Sequence, residues 1–283
     1  TNAKPKISDD PCTTKMPTPG MMIYKDVQIQ LVEAPAIFPG SPWISQVMSL
    51  ARNADALILL VDLTRNPIQQ LKFMAEALRE SKISLKKPKV KIEIERKAGG
   101  GIQVFCMGSL IDCSIEDVKS LLKDYGFSSA LIKIWGNASL RDIEDYLGLN
   151  IVYKPSIIIA NKFDSEMAKV NYDKLVKVLQ GVVKVIPFSC ITKVNLDEVK
   201  REIFNLLGVI RVYTKEVGGE IASKPLVVPI GTRVIDVAKM IHSRLYKEFK
   251  YAKVWGKSVK FNGQRVGADH ILFDGDIVEI RTK

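Results

Sequence analysis

Residues 156–164 read Ser-Ile-Ile-Ile-Ala-Asn-Lys-Phe-Asp. The run Ser156–Ala160 suits a strand covered on both faces, as a central strand of a parallel sheet is. The polar tetrapeptide Asn161-Lys162-Phe163-Asp164 follows at once, at the carboxyl end of that strand, where parallel α/β sheets bind their ligands. Ala56–Asp62 is a second apolar run, and Asp62 at its end reads as a core-edge cap. Val183–Pro187 is a third. Asp26–Glu33 alternates Val27, Ile29 and Leu31 with Asp26, Gln28 and Gln30, a strand with one buried face. Helical spacing covers Ile68–Ser81, Tyr172–Leu179 and Leu196–Leu207. Strand and helix in alternation predict a parallel α/β sheet.

The alternation is interrupted after Lys86. Val90, Ile92 and Ile94 alternate with charged residues, Gly99–Gly101 makes a turn, and Ile102–Met107 returns, so Lys89–Met107 is expected to form a hairpin. Ser114-Ile-Glu-Asp117 has the form of a capping box and starts a helix that runs to Tyr125-Gly126. Ala130–Trp135 is a third strand. Ser139-Leu-Arg-Asp142 starts a second helix that ends near Gly148. The C-terminal part predicts strands at Ile210–Thr214, Pro225–Val228, Tyr251–Trp255 and Ile277–Arg281. One helix is expected over Arg233–Lys247, with Val234, Val237, Ala238, Ile241 and Leu245 on one face. That order is the order of a β-grasp domain. The expected divisions are 1–86 and 151–208 for the two parts of an α/β domain, 87–150 for an inserted α+β domain, and 209–283 for the β-grasp domain.

The chain has 283 residues, of which 47% are hydrophobic and 26% charged, which excludes bulk disorder. No apolar run approaches the ~18 residues of a membrane helix. No charged-then-apolar leader opens the sequence, so a cytoplasmic location and no membrane partner are expected. The four cysteines make neither a disulfide framework nor a C-x₂-C metal pair. Cys106, Cys113, His242 and His270 read as structural, and Met21-Met22 as packing. The balance of 42 Lys+Arg against 31 Asp+Glu, net +11, favours a polyanionic partner. Residues 209–283 hold 14 basic and 8 acidic residues, the strongest local excess. Lys86-Lys87-Pro88-Lys89 reads as a solvated hinge.

Several short motifs carry chemistry. Asn-Lys-x-Asp after a buried strand is the guanine-base box of GTPases. The Asp164 carboxylate would accept from the ring N–H and the amino group of guanine, a pair of donors that adenine lacks, and such a site rejects the wrong base strongly. Lys162 would pack its stem on the base, and Asn161 would tie the box to neighbouring loops. The tetrapeptide by itself also reads as a polar loop in which Asp164 caps the next helix. Ser189-Cys190 follows the next strand and matches the box whose backbone N–H meets guanine O6; as a lone pair it is also an ordinary turn. Thr13-Thr14, in Asp10-Pro-Cys-Thr-Thr-Lys15, matches the switch I threonine box, with Thr14 the expected ligand of Mg²⁺. Glu33-Ala34-Pro35-Ala36 stands where GTPases carry Asp-x-x-Gly. Glu33 can hold Mg²⁺ through a water, while Ala36 keeps the N–H and restricts the backbone. Ile37 follows, so no glutamine is placed to orient water, and slow hydrolysis is expected. No Gly-x-x-x-x-Gly-Lys-Ser/Thr stretch occurs. The phosphate loop is expected in a segment preceding Thr1.

Together these motifs resemble the developmentally regulated GTP-binding (DRG) family, Obg-related translation GTPases of archaea and eukaryotes; an archaeal member is expected. Phe249-Lys-Tyr-Ala-Lys-Val-Trp-Gly256, Gln264-Arg-Val-Gly267, His270 and Asp276-Ile-Val278 are similar to that family's TGS domain, as is Ile210-Arg-Val-Tyr-Thr-Lys215. Lys97-Ala-Gly-Gly-Gly-Ile102 resembles the start of its inserted S5D2-like domain, which also lies between the third and fourth boxes. The sequence departs from the family at Glu33 and Ala36, and in a shorter loop, Ile37–Gln46, without a Gly-Arg-rich run. The resemblance implies a P-loop-type GTPase parallel sheet, incomplete at its N-terminus, with the two extra domains. It implies GTP/GDP and Mg²⁺ as cofactors, and a ribosome or RNA and a DRG-family regulatory protein as partners, with no DNA. Lys250, Lys253, Lys257, Lys260 and Arg265 interleave with Phe249, Tyr251, Trp255 and Phe261. That mixture could pair phosphates with stacked bases, although alternating aromatics on a strand also serve simply as core. The expected function is a slow GTPase switch acting on ribosome or RNA. The alternative is a non-hydrolysing RNA- or ribosome-binding scaffold with a degenerate G domain.

Overall fold

A computed structural model describes residues 1–3, 13–87, 90–149 and 151–282. Asp10, Pro11 and Cys12 of the threonine box, and Pro88 and Lys89 of the predicted hinge and hairpin, lie outside them. Thr18–Tyr24 (β1) and Val27–Glu33 (β2) come first, then Ile44–Asn53 (α1), Leu57–Asp62 (β3), Pro67–Glu80 (α2) and Ile83–Ser84 (β4). The insert supplies Lys91–Arg96 (β5), Ile102–Leu110 (β6), Ile115–Asp124 (α3), Ala130–Ala138 (β7) and Leu140–Leu149 (α4). Val152–Tyr153 (β8), Ser156–Asn161 (β9), Ala168–Leu179 (α5), Lys184–Pro187 (β10) and Leu196–Leu206 (α6) follow. The C-terminal part holds Val209–Thr214 (β11), Leu226–Pro229 (β12), Val234–Ile241 (α7), Ser243–Lys247 (α8), Phe249–Trp255 (β13), Gln264–Val266 (β14) and Asp276–Thr282 (β15). These elements fall into two compact units, Ile37–Thr192 and the pair of segments Thr1–Ala36 and Lys193–Lys283.

In the Ile37–Thr192 unit the three apolar runs meet as one parallel sheet, ordered β10-β9-β3. The central strand β9 buries Ile157, Ile158, Ile159 and Ala160 in a row, as a strand covered on both faces must. Helix α2 starts at Asn66, whose side chain accepts from the N–H groups of Ile68 and Gln69, with Pro67 in the first turn. The short parallel pair β4–β8 joins the two ends of the insert.

The insert sheet has the order β5-β7-β6. The predicted Lys89–Met107 hairpin therefore does not form: β7 lies between its two arms, antiparallel to β5 and parallel to β6. The physical reason is burial. Strand β7 carries Ala130, Ile132 and Ile134, all fully buried, and takes the centre, whereas β5 (Lys-Ile-Glu-Ile-Glu-Arg) is charged at four of its six positions and suits an edge. The two helix starts form as expected. Ser114 and Asp117 make a capping box, and the Ser139 hydroxyl meets Asp142 Oδ2 at 2.7 Å. Val118, Leu122 and Ile143 from these helices pack on Ile92, Ile132 and Ile134.

In the other unit, β1 and β2 form an antiparallel pair that turns tightly at Lys25-Asp26. No period-two pattern marks β1 in the sequence; its buried Met22 gives the Met-Met pair its packing role. The C-terminal segment forms a mixed five-stranded sheet ordered β12-β11-β15-β13-β14, with α7 over one face, the β-grasp arrangement. Val212, Val228, Val234, Val237, Ala252, Val254 and Leu272 form its core. The single helix expected over Arg233–Lys247 is divided at His242, which is extended (φ −164°, ψ 139°) and whose Nδ1 accepts from the Arg244 N–H. The predicted apolar stripe is therefore cut short: Val234, Val237 and Ala238 are buried, but Ile241 is 41% exposed. Among the described residues, no helix is long and apolar enough to cross a membrane.

Candidate functional site

Adjacent parallel strands place the two predicted guanine boxes side by side. Asn161 ends β9, and the loop after it is tied to the loop after β10 by two backbone bonds. The Phe163 N–H donates to Phe188 O at 3.0 Å, and the Phe188 N–H donates to Ala160 O at 2.8 Å. The exposed Cys190 thiol donates to Asn161 Oδ1 at 3.4 Å. Ser189 is fully buried, and its hydroxyl accepts from the N–H groups of Ile191 (3.2 Å) and Thr192 (3.1 Å), which fixes the second loop. Asp164 stays exposed, with its carboxylate accessible to a ligand.

Lys162 is held in a way the sequence did not reveal. Its backbone is left-handed, with φ +65°, an uncommon conformation for a side-chain-bearing residue. Its ammonium donates to Asp62 Oδ2 at 2.9 Å. Asp62 faces Asn161 across the β3–β9 register, and its other oxygen accepts from the Thr64 N–H (2.8 Å) and hydroxyl (2.6 Å). Partial burial pushes the Asp62 carboxyl up, but the bonds from Lys162 and Thr64 outweigh it and hold the group below the usual carboxylate range. The cap predicted for Asp62 is thus joined by an orienting role towards Lys162. The only signal in the sequence was its place at the end of the neighbouring apolar run.

The remaining residues predicted to meet the nucleotide belong to the other unit. There the Thr14 hydroxyl donates to Glu33 Oε1 at 3.1 Å, joining the two residues expected to meet Mg²⁺. Glu33 ends β2 opposite Thr18 of β1, four residues after Thr14. Thr13 is half-buried beside Thr14, and Ala36 is exposed. At the far end of that pair, the Tyr24 ring packs 5.1 Å from Phe204 of α6. Asp26 in the turn accepts from Arg211 Nη1 at 2.9 Å and from the Tyr213 hydroxyl. Arg211, 8% exposed, also donates to both oxygens of Asp274, at 3.1 and 2.9 Å.

The five basic residues singled out in the C-terminal sequence lie on β13, on β14 and in the connection between those strands. Lys253 and Arg265 face each other across β13 and β14. Lys257 and Lys260 lie exposed in the connection between those strands, where the Lys257 N–H donates to the buried Asp276 and the Lys260 N–H donates to Gln264. Gly256, with φ +139°, sits so close to Asp276 that a Cβ would collide with it. Lys250 is exposed beside a bulge in β13. Of the aromatics, Phe249 packs on the core and Phe261 is 66% exposed.

Three family profiles match the chain in sequence. The profile described as 50S ribosome-binding GTPase covers residues 1–93, the C-terminal region of the same GTPase domain covers 99–209, and the TGS domain covers 210–282. These matches define the class as a GTP-binding protein with a C-terminal TGS domain. An uncharacterized GTP-binding protein of Methanocaldococcus jannaschii is 34% identical over 290 residues, covering 100% of this chain and 73% of that protein. Developmentally-regulated GTP-binding protein 1 of Xenopus laevis is 32% identical over 277 residues, covering 96% of this chain and 74% of its own. The chain belongs to the developmentally regulated GTP-binding protein family. Among solved structures, a GTP binding protein from Pyrococcus horikoshii aligns with 98% of this chain and 91% of its own, at 18% identity and a TM-score of 0.49.

Proposed function

We propose that this chain is a slow GTPase that works in the cytoplasm as a nucleotide-dependent switch on the ribosome or its RNA. The observation that carries the reading is the guanine box: Asn161, Lys162 and Asp164 at the end of β9, tied to Ser189 and Cys190 at the end of β10. An Asp164 carboxylate left accessible beside a braced lysine suits the donor pattern of guanine and no other common base. The Thr14 hydroxyl and the Glu33 carboxylate are hard oxygen donors 3.1 Å apart, the donor chemistry that suits Mg²⁺. Bound with the nucleotide, Mg²⁺ would neutralise phosphate charge. The description of the matching GTPase profile as ribosome-binding, together with the C-terminal basic excess, supports RNA as the polyanion.

Glu33 and Ala36 favour a second reading, a scaffold that binds RNA without turning GTP over. Co-sedimentation with ribosomes in the presence of GTP, of GDP and of no nucleotide separates the two. The switch reading predicts binding that depends on the nucleotide, and the scaffold reading predicts equal binding in all three. In either case Glu at Lys253, Lys257 and Lys260 should weaken binding and flatten its salt slope by about one unit for each phosphate no longer neutralised. Binding unchanged by all three substitutions contradicts the role assigned to this module.

A further inference from the structure

The two edges of the insert sheet are built differently. Strand β5, at one edge, is charged at four of its six positions, and charge at an edge discourages a further strand. Strand β6, at the other, has nine residues, Ile-Gln-Val-Phe-Cys-Met-Gly-Ser-Leu, and no charge. Among the described residues it pairs with β7 alone, so main-chain donors and acceptors of its other side are open along ~30 Å. The side chains of β6 alternate. Val104 and Cys106 pack on the core beneath the sheet, whereas Phe105 and Met107 stand on the outer face, 61% and 57% exposed. The charges of that face belong to β5 and β7 and hold one another: Lys91 meets Glu93 at 2.8 Å, and Lys133 meets Glu95 at 3.4 Å. The apolar strip therefore runs along the open edge itself. A long uncharged edge of this kind is a template for another strand.

Charge decides which strand. The chain carries a net charge of +11, which opposes the meeting of two copies, but residues 86–150 hold 10 basic and 9 acidic residues and are nearly neutral. Within the insert the two ends of β6 differ in sign. Arg96 and Lys97 precede it, and Asp112, Glu116 and Asp117 follow it. Antiparallel pairing with a second β6 turns the acidic end of each copy towards the Lys97 end of the other, whereas parallel pairing brings like ends together. A two-fold axis at Phe105 or Cys106 also keeps the faces matched. Phe105 then meets Phe105 or Met107 of the copy on the outer face, and Val104 meets Cys106 or Gly108 on the inner one.

We propose that β6 pairs antiparallel with β6 of a second copy of this chain, giving a six-stranded sheet ordered β5-β7-β6-β6-β7-β5. The charged β5 then stands at both ends, so the assembly closes as a dimer. Sedimentation velocity of the full chain from about 1 to 100 μM tests it. The expected result is a concentration-dependent monomer–dimer equilibrium without larger species. Phe105→Lys combined with Met107→Lys sets like charges near one another in either register and should weaken the dimer about tenfold or more. Phe105→Glu combined with Met107→Glu should do the same. An equimolar mixture of the lysine and glutamate variants should restore the dimer, as pairing of this strand with itself requires. Met107→Lys by itself, at an exposed position, keeps the test open if the double variants do not fold, and should weaken the dimer in the same direction. A parent that stays monomeric throughout would overturn the proposal and leave the edge to a strand of another protein. A dimer unmoved by the lysines, or a mixture that stays monomeric, would overturn it as well, because the contact between copies would then lie elsewhere.

Discussion

The Arg211 guanidinium and the Asp26 carboxylate meet at 2.9 Å across 185 residues of sequence. The contact attaches the tip of the β1–β2 pair to the C-terminal sheet. The opposite end of the same pair carries Glu33, next to Thr14. Arg211→Ala would leave Asp26 and Asp274 without their cation. The partners are 30% and 37% exposed at the side chain, so water compensates in part, and the expected loss is about 1–3 kcal/mol rather than the full cost of a buried charge. Denaturant unfolding of the parent and variant measures it.

The same cluster makes a pH prediction. For Asp26 and Asp274 burial raises the carboxyl, but hydrogen bonds, from Tyr213 and Arg211 to Asp26 and from Arg211 to Asp274, hold both below the usual range. A depressed pKa means stability that is present above the unfolded value of about 4 and lost as pH falls through the lower folded value. Unfolding free energy should therefore decline below about pH 4, and the decline should be shallower in Asp274→Asn. Chemical denaturation at several pH values between neutral and acidic checks this, and equal slopes for parent and variant would contradict it.

Asp62→Ala should separate position from stability. The Lys162–Asp62 pair is 54% and 26% exposed, so its removal should cost less than about 1 kcal/mol in unfolding. Freeing Lys162 should weaken guanine nucleotide binding about fivefold, equivalent to roughly 1 kcal/mol, with the preference for guanine over adenine unchanged. Calorimetry with both bases reads the two effects apart.

Asp164→Asn exchanges two acceptor oxygens for an amide that also donates. Guanine presents donors on its ring nitrogen and amino group; xanthine has a carbonyl in place of the amino group. The variant should lose guanine affinity by about a hundredfold or more and gain relative affinity for xanthine nucleotides. Retained guanine binding would place the base elsewhere.

Hydrolysis without a partner protein should stay below about 10⁻² s⁻¹, the range of GTPases that lack a complete catalytic set. Ala36 and Ile37 offer no side chain that positions water. Single-turnover assays with labelled GTP check this, and a rate near that of an arginine-finger-stimulated GTPase would contradict it.

Much of the fold was legible because burial leaves periodic traces. Ser156–Asn161 and Leu57–Asp62 declared a parallel sheet by unbroken apolarity, and Ser114 and Asp117 declared a helix start by a local hydrogen-bond exchange. What was not legible depends on partners distant in sequence. Period two identified the arms of Lys89–Met107 but not that Ala130–Ala138 would lie between them. Helical spacing over Arg233–Lys247 did not show the break at His242, where an imidazole nitrogen starts a new turn. Likewise Asp62 is an unremarkable strand-end acid in sequence, and only the β3–β9 register brings it to Lys162.

A guanine site built on Asn161, Lys162 and Asp164 is put to the test by titration calorimetry of this chain with GTP and ATP in the presence of Mg²⁺. Guanine should bind more tightly than adenine by about a hundredfold or more. Equal affinity for the two nucleotides would contradict it.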